Sequence, residues 1–239
     1  MGKPLGAVVK KRLTSVFACV AAVLIILSTA VACIQTFAFN KDFYKKEYQK
    51  LRTSAYVGVS EPTLFAATDT LLDYLQNKQP NLHLQKSDGQ PFYNDREVAH
   101  MADVKVLYQN TLTFMMCGFA VGAVLVALCF VLQKKAALSH FLRAYFWSAI
   151  GILAIFACIG IFAAVDFNNF WIGFHKLFFT NDLWMLDPET SLMIRMFEET
   201  FFFDLVSRIL ILFLGITCAT TIISGIVYKR MKKHEYIGN

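Results

Sequence analysis

Residues 112–132 read LTFMMCGFAVGAVLVALCFVL, an apolar stretch without a single charged side chain. About 20 apolar residues are enough for an α-helix to cross a bilayer core of about 30 Å. Three other stretches have the same character, at residues 13–39, 146–165 and 206–227, and Arg208 is the only charged residue in any of the four. The sequence therefore predicts an all-α integral membrane protein with four transmembrane helices.

The composition of the whole chain agrees with this prediction. Hydrophobic residues make up 56% of the 239 residues and charged residues only 17%, whereas soluble domains carry about 25% charged residues. The net charge of +6 does not indicate a nucleic-acid binder, because a chain this apolar cannot present a basic face without exposing large apolar surfaces. We therefore expect the lipid bilayer, and no nucleic acid, as a partner.

Basic residues mark one side of the predicted membrane protein. They concentrate in residues 1–12, 133–145 and 228–239, and of the 17 acidic residues only Glu235 lies in these segments. By the positive-inside rule these three segments are cytoplasmic, which predicts an N-in, C-in protein with external loops at residues 40–111 and 166–205. The first apolar stretch exceeds the 7–15 residues or so of a signal-peptide core, so we expect an uncleaved anchor.

All six cysteines lie inside the four apolar stretches. The external loops therefore have no cysteine with which to form a disulfide, and the sequence has no CxxC motif of a thiol oxidoreductase. We interpret the cysteines as small apolar packing residues.

The first external loop is too long for a bare connection, so we expect it to be structured. Basic residues alternate with aromatic ones in Lys41–Arg52, which predicts a helix in the outer headgroup layer. Residues 60–62 read Ser-Glu-Pro, a typical helix start. Residues 81–93 predict a small β-hairpin around Ser-Asp-Gly. Asn94 and Glu97 have the spacing of a capping box, which predicts a further helix.

Glu97, His100 and Asp103 follow one another at intervals of three residues on this last helix. Residues three apart share a helix face, so the two carboxylates are placed to raise the pKa of His100 and to fix its tautomer. A solvated helix face is the alternative interpretation. His100 is nevertheless a candidate catalytic residue, with Glu97 and Asp103 as candidate orienting groups.

The second external loop is rich in aromatic residues, which suit the boundary between membrane and water. Five of them, in residues 167–178, repeat at helical spacing and predict an amphipathic helix. His175 lies beside this stripe, at the expected depth of glycerol esters; the alternative is a packed or snorkelling histidine. The candidate orienting residues around His175 are Asp166, Asn181, Asp182, Asp187 and Glu199, and the candidate lipid contacts are Phe174, Phe178 and Trp184. Asp187, just before Pro188, also fits an N-cap.

Several of these motifs occur together in one order: EVAHMADVK at residues 97–105, FHKLFF at 174–179, NDLW at 181–184, LDP at 186–188, and a Phe-rich segment before the last apolar stretch. In this respect the chain resembles the bacterial lipoprotein intramolecular transacylase (Lit) family over nearly its whole length. The resemblance implies an enzyme of the bacterial cell membrane that moves the sn-2 acyl chain of a diacylglyceryl lipoprotein onto the α-amino group of its own N-terminal cysteine. The product is the lyso form of the lipoprotein.

The resemblance also implies site residues. It identifies His100 and His175 as catalytic, with Asp103, Asp182 and Asp187 in support, at an active site on the outer face of the membrane. We expect no cofactor and no metal, a diacylglyceryl-modified lipoprotein as the partner, and a monomeric protein.

The chemistry agrees with this expectation. The ester and the amine belong to one substrate molecule, and well-aligned intramolecular reactions reach effective concentrations of about 10⁵–10⁸ M. Such an enzyme needs no nucleophile of its own. We expect His175 to be the base, and His100 to be either the acid or the group that stabilises the tetrahedral oxyanion.

Three alternatives remain at the level of sequence. A non-catalytic protein would bind a lipid or lipoprotein in the aromatic cleft. A metal-dependent membrane hydrolase would use a mixed site of His100, Asp103, His175 and Asp182. An acyl-enzyme route for the transacylase would use a serine nucleophile, for which the candidates are Ser54, Ser60 and Ser191.

Overall fold

The computed structural model describes residues 5–237, and its regular secondary structure is helical. The described part of the chain does not include Lys3 or the side chains of Lys135 and Glu235. These three residues were among those used to predict the orientation in the membrane. No β-strand occurs in residues 5–237, in agreement with the all-α prediction. The helices are α1 (Leu5–Ala38), α2 (Lys41–Leu51), α3 (Thr53–Val57), α4 (Glu61–Leu75), α5 (Asp95–Gln133), α6 (Ala137–Val165), α7 (Phe167–Phe178), α8 (Leu192–Met196) and α9 (Glu199–Ile237).

The four longest helices are α1, α5, α6 and α9, and each contains one of the predicted apolar stretches. Each is long and apolar enough to cross a membrane. The prediction of four membrane-spanning helices is therefore confirmed. Helices α5 and α9 also continue well beyond their apolar stretches, at the N-terminal end of each, into residues that the sequence places in the external loops.

The chain divides into two compact units. The first, here called the membrane unit, consists of residues 1–33, 113–160 and 210–239. Within it, α1 and α5 approach closely because small residues line their contact. A Cβ atom added to Gly122 would lie 2.9 Å from Ile25, and one added to Gly118 would collide with Ser28. Close packing at glycine is a common way for membrane helices to associate, since apolar lipid offers no hydrophobic drive.

The second unit, here called the loop unit, consists of residues 34–112 and 161–209 and has its own apolar core. Helix α2 begins at the N-cap Asn40, whose side chain accepts a hydrogen bond from the Phe43 backbone N–H at 3.1 Å. Phe43, Tyr44 and Tyr48 are all buried in this core. They pack against aromatic residues at 197–201 and are therefore not exposed to lipid. The position of α2 in the headgroup layer stays a prediction.

Helix α4 begins as predicted, with Ser60 as its N-cap and a proline in its first turn. The predicted β-hairpin at residues 81–93 is wrong as a strand pair. A tight turn is present, in which the Gly89 N–H donates to the Lys86 carbonyl at 3.0 Å, but the flanking segments share a single bridge between Gln85 and Pro91. Proline has no N–H for a ladder, and the neighbouring Phe92 is buried in the helical core.

Candidate active site

Helix α5 places His100 one turn after a reciprocal cap. The Asn94 side chain accepts from the Glu97 backbone N–H at 2.9 Å, and the Glu97 carboxylate accepts from the Asn94 backbone N–H at 2.7 Å. This is the predicted capping box. His100 is buried, and its Nδ1 has no hydrogen-bond partner among the described residues. The capped end of α5 therefore holds an imidazole in an apolar environment.

His100 lies before the apolar part of α5, and its burial determines its protonation state. The pKa of His100 is lowered to about 4, chiefly by loss of hydration and also by nearby His175, while Asp103 opposes the shift. The sequence predicted that Glu97 and Asp103 would raise the pKa of His100, and the net effect is the reverse. Desolvation disfavours the charged imidazole more than one partly exposed carboxylate favours it. His100 is accordingly neutral at pH 7.

His175 lies on α7 and is oriented by its own helix. Its Nδ1 is 2.8 Å from the backbone carbonyl oxygen of Trp171, one turn earlier. Because a carbonyl can only accept, Nδ1 carries the proton, and in the neutral ring Nε2 has the free lone pair. Burial lowers the pKa of His175, and the hydrogen bond to Trp171 partly offsets this effect. His175 therefore has the tautomer of a general base.

The loop unit brings the two histidines together, although 74 residues separate them in the sequence. The centroids of the two rings are 6.0 Å apart. Phe179 touches both, at 5.3 Å from His100 and 5.6 Å from His175. Phe179 is the C-cap of α7, and its N–H donates to the His175 carbonyl at 2.8 Å. The pair is thus held by α5, α7 and one shared aromatic neighbour.

Trp184 forms the other wall of His175. The two rings are nearly parallel, with centroids 4.9 Å apart and an interplanar angle of 28°. A turn fixes the indole, since Trp184 Nε1 donates to the Asn181 carbonyl at 3.0 Å and the Leu183 N–H donates to the Asn181 side chain at 3.1 Å. Asn181 Nδ2 also donates to Asp103 on α5 at 2.8 Å. Asp103 therefore positions the turn that carries Trp184.

Glu97 connects α5 to the segment before α8. Its Oε1 accepts from Ser191 Oγ at 2.5 Å and from the Met193 backbone N–H at 2.7 Å. Glu97 is 1% exposed. Glu97 therefore ties α5 to this segment as a structural clip, and none of its hydrogen bonds among the described residues goes to either histidine.

Removing this clip should destabilise the fold. Glu97→Gln replaces an acceptor with an amide donor facing the Asn94 N–H, and a buried group left unpaired costs about 1–3 kcal/mol. We expect a lower melting temperature of the purified protein. Glu199→Gln is the matched control, because Glu199 is exposed and surface changes usually stay within about 0.5 kcal/mol. Equal melting temperatures for the two variants would contradict the clip.

Three other predicted orienting carboxylates bind groups other than His175. Asp166 caps α7 by accepting from the Asn169 N–H at 3.0 Å. Asp182 is exposed and pairs with Arg96, at 3.5 Å. Asp187 accepts from the Glu189 N–H at 2.9 Å in a turn; the short helix that follows is capped by Ser191 instead. None of these three carboxylates forms a hydrogen bond to His175 among the described residues, because each is used by its own backbone or by Arg96.

A cavity of about 500 Å³ within the loop unit is lined by both histidines. Phe174 and Trp184 line it as predicted, whereas Phe178 is not among its lining residues and is exposed. Among the described residues, no charged side chain, serine, threonine or cysteine lines this cavity. Apart from the histidines, its polar side chains are Tyr44, Tyr108 and Asn168. Such a surface suits hydrocarbon chains around a small polar centre.

Two lining residues were missed as site residues from the sequence, Trp171 and Phe179. Trp171 was part of the aromatic stripe, and its position four residues before His175 was the available signal for its carbonyl contact. Phe179 was adjacent in sequence to the stripe, but its contact with His100 depends on tertiary packing. No group of three or more His, Cys, Asp or Glu side chains in the described part of the chain is arranged to hold a metal ion.

Comparison with known proteins identifies the family of this chain. A family profile described as "Lipoprotein intramolecular transacylase Lit" matches residues 16–202. A solved structure of the membrane integral lipoprotein intramolecular transacylase Lit from Bacillus cereus has a TM-score of 0.71 at 21% identity, covering 95% of this chain and 97% of that chain. A structure of the same enzyme with a histidine-to-alanine mutation has a TM-score of 0.66 at 21% identity, with 95% of both chains covered.

No curated protein sequence matches significantly. The fold similarity and the family match nevertheless agree, and the matched residues include both histidines, the capping box of α5 and the whole of α7. The chain belongs to the Lit family of lipoprotein intramolecular transacylases, and it is a membrane acyltransferase.

Proposed function

We propose that the protein transfers the sn-2 acyl chain of a diacylglyceryl lipoprotein to the α-amino group of that lipoprotein's own N-terminal cysteine. The observation that carries this proposal is the pair of buried histidines, one with a free Nε2, in an apolar cavity. The product is an N-acyl, S-monoacylglyceryl lipoprotein. In the N-in, C-in orientation proposed from the basic residues, this site faces outward.

The cavity supports a substrate with two acyl chains and a small polar head. Its walls are mostly aromatic and aliphatic, and no charged side chain of the described part of the chain lines them to compete for the ester. Holding the amine near the ester is itself a large part of catalysis, because aligned intramolecular reactions have effective concentrations of about 10⁵–10⁸ M. The protein then has to supply proton transfer and charge stabilisation.

His175 is the proposed base. The amine nitrogen attacks the ester carbonyl carbon, a C–N bond forms, and Nε2 of His175 accepts the proton that the nitrogen loses. The tetrahedral intermediate then breaks its C–O bond, and the same proton passes from His175 to the departing sn-2 glyceryl oxygen. Atoms and charges balance without another reactant. General acid-base help of this kind contributes about 10²–10⁴-fold in rate.

His100 is the proposed hydrogen-bond donor to the oxyanion. A pKa of about 4 leaves only a small fraction of the ring charged at neutral pH, so an imidazolium acid is disfavoured. A neutral imidazole N–H in an apolar site still stabilises a developing negative charge. Of the two roles that the sequence left open for His100, the low pKa therefore supports oxyanion stabilisation.

Direct transfer is favoured over an acyl-enzyme. None of the three candidate serines lines the cavity. Ser191 Oγ donates to Glu97, and Ser60 caps α4. The alternatives from other classes, a non-catalytic binding protein and a metal hydrolase, do not agree with membership of an acyltransferase family.

The pH profile should reflect His175. The reactive form has a neutral amine and a neutral His175, and an α-amino group has a pKa of about 7.7–8.0. We expect log(kcat/KM) to rise with slope one up to about pH 8, and with slope two below the pKa of His175. Because burial lowers this pKa, the break should lie below the ordinary value of 6.5. A break above 6.5 would contradict the assignment.

Trp184 should act on kcat through His175. Trp184→Ala removes the ring stacked on the imidazole, and small misplacements of a catalytic group cost up to about 10²-fold. We expect kcat to fall by about 10- to 100-fold on this basis, with KM changed less. Trp184→Phe should recover most of kcat, since it keeps an aromatic wall. If only KM rises, Trp184 is a lipid contact and does not position His175.

The function is tested with a synthetic lipopeptide whose sn-1 and sn-2 chains differ in length. Transfer within one molecule leaves its mass unchanged, so tandem mass spectrometry must locate each chain. We expect the sn-2 chain on the cysteine nitrogen after incubation with purified protein. The matched control is the same lipopeptide with an acetylated amine, which should not react. Transfer of the sn-1 chain, or a gain in mass from a separate phospholipid, would overturn the proposal.

A further inference from the structure

A second cavity lies in the membrane unit, between α6 and α9. Its volume is about 360 Å³, within the range of about 300–1,000 Å³ typical of small-molecule sites. It lies at the end of these helices where the short α5–α6 connection begins α6 and where α9 runs into the C-terminal segment. Its lining residues are Arg143, Phe146, Trp147, Ile222, Gly225, Ile226, Tyr228 and Lys229.

Two basic side chains stand at this cavity, Arg143 from α6 and Lys229 from α9. Both are exposed, and neither forms an ion pair with a carboxylate among the described side chains. Sixteen of the 17 acidic residues of the chain lie in residues 40–111 and 166–205, far from this cavity in sequence. The two positive charges therefore lack a protein counterion in the described structure.

The rest of the cavity is apolar and open to the outside of the helices. Trp147 is 62% exposed, Ile222 is 61% exposed and Ile226 is 47% exposed. Arg143 and Trp147 are four residues apart on α6, and Ile222, Ile226 and Lys229 follow at intervals of four and three on α9, so each helix presents its cation and its apolar residues on one face. On each helix the cation therefore lies beside an apolar surface that suits hydrocarbon chains.

The floor of the cavity depends on close packing at Gly225. A Cβ atom added there would meet the Phe146 ring at 3.0 Å and 3.2 Å. The Phe146 ring therefore lies directly on the α9 backbone. The Tyr145 hydroxyl, on the adjacent position of α6, is 2.7 Å from Thr220 Oγ1 on α9 and joins the same two helices. The cavity thus has a built, tightly packed base.

We propose that this cavity binds one anionic phospholipid, with its phosphate between Arg143 and Lys229 and its acyl chains along Trp147, Ile222 and Ile226. Basic pockets between membrane helices at the cytoplasmic side are typical sites for anionic headgroups, and the N-in, C-in orientation proposed from the basic residues places this end there. The site shares no lining residue with the histidine cavity, and its proposed ligand is not the lipoprotein substrate.

Native mass spectrometry of the full-length protein, titrated with phosphatidylglycerol or phosphatidylcholine of equal chain length, tests this site. Each basic residue near an anionic headgroup contributes about a fivefold gain in affinity, so the wild-type preference for phosphatidylglycerol should be about 30-fold. Arg143→Gln with Lys229→Gln should abolish that preference. Arg143→Lys with Lys229→Arg should keep most of it, because both charges remain.

Arg230→Gln with Lys233→Gln is the matched control. These two residues are exposed, lie on the same end of α9 and do not line the cavity. The control loses the same net charge and should retain the preference. Equal loss in both double variants, or no loss in the cavity variant, would overturn the proposal. If the cavity double variant does not fold, each single substitution should lower the preference about fivefold on the same basis.

A soluble competitor separates a lipid site from a simple phosphate site. sn-Glycerol 3-phosphate carries a phosphate on the same glycerol position, as a monoester, but no acyl chains. We expect it not to displace phosphatidylglycerol at equal concentration, because the apolar face contributes to binding. Equal displacement would show that the cavity recognises a free phosphate monoester and would contradict the assignment to a lipid.

Discussion

Replacing His175 with alanine is expected to lower kcat for acyl transfer by about 10²–10⁴-fold, the range that general acid-base catalysis contributes. The Trp171 carbonyl fixes the proton on Nδ1 of His175, so Nε2 is free to accept the proton of the attacking amine. Some activity should remain, because roughly a tenth of an α-amino group is already neutral at pH 7. The measurement is single-turnover transfer within a synthetic lipopeptide.

The pH dependence of the His175→Ala variant gives a second readout. Without the imidazole, log(kcat/KM) should rise with slope one over the whole acidic range. The matched control is His83→Ala, which removes an exposed histidine of the loop unit that does not line the cavity. The control should keep wild-type kcat and melting temperature. A His175→Ala variant with full activity would end the proposed mechanism.

Replacing His100 with alanine is expected to lower kcat by about 10²–10³-fold, the loss usual for one donor to an oxyanion. Because His100 acts on the intermediate, KM should change little. His100→Gln should recover part of the loss, since its amide also donates a hydrogen bond. The variant should retain the slope of two in the acidic pH profile, because His175 still provides the titrating base.

The charge of His100 can be measured directly. Nuclear magnetic resonance of labelled histidine rings should show that His100 remains neutral down to about pH 4, as its burial requires. Titration of His100 near its ordinary pKa would contradict the oxyanion role and favour His100 as an acid. The same spectra should show a pKa for His175 below the ordinary value.

The features predicted well from sequence depend on local pattern. The four apolar helices follow from unbroken apolar runs, the cap of α5 follows from the spacing of Asn94 and Glu97, and α7 follows from its aromatic stripe. In each case, residues within a few helical turns of one another determine the local structure. The family resemblance was then enough to single out His100 and His175, which the structure brings together.

The features predicted poorly depend on packing between distant segments. Asp103 shares a helix face with His100, yet its carboxylate accepts from Asn181, 78 residues further along the chain. Tyr44 and Tyr48 are of the residue type that anchors helices at a membrane surface, yet residues from the second external loop bury them. The predicted shift in the pKa of His100 had the wrong direction for the same reason, since residue spacing does not reveal desolvation by the surrounding core.

A crossover experiment tests the central claim, transfer within one lipoprotein molecule by a histidine pair without an acyl-enzyme. Two lipopeptides of different peptide sequence are mixed with the purified protein, and only one carries deuterated acyl chains. We predict that every N-acylated product keeps the chains of its own molecule and that no acylated protein accumulates. Products that carry a deuterated chain on the unlabelled peptide would contradict the account.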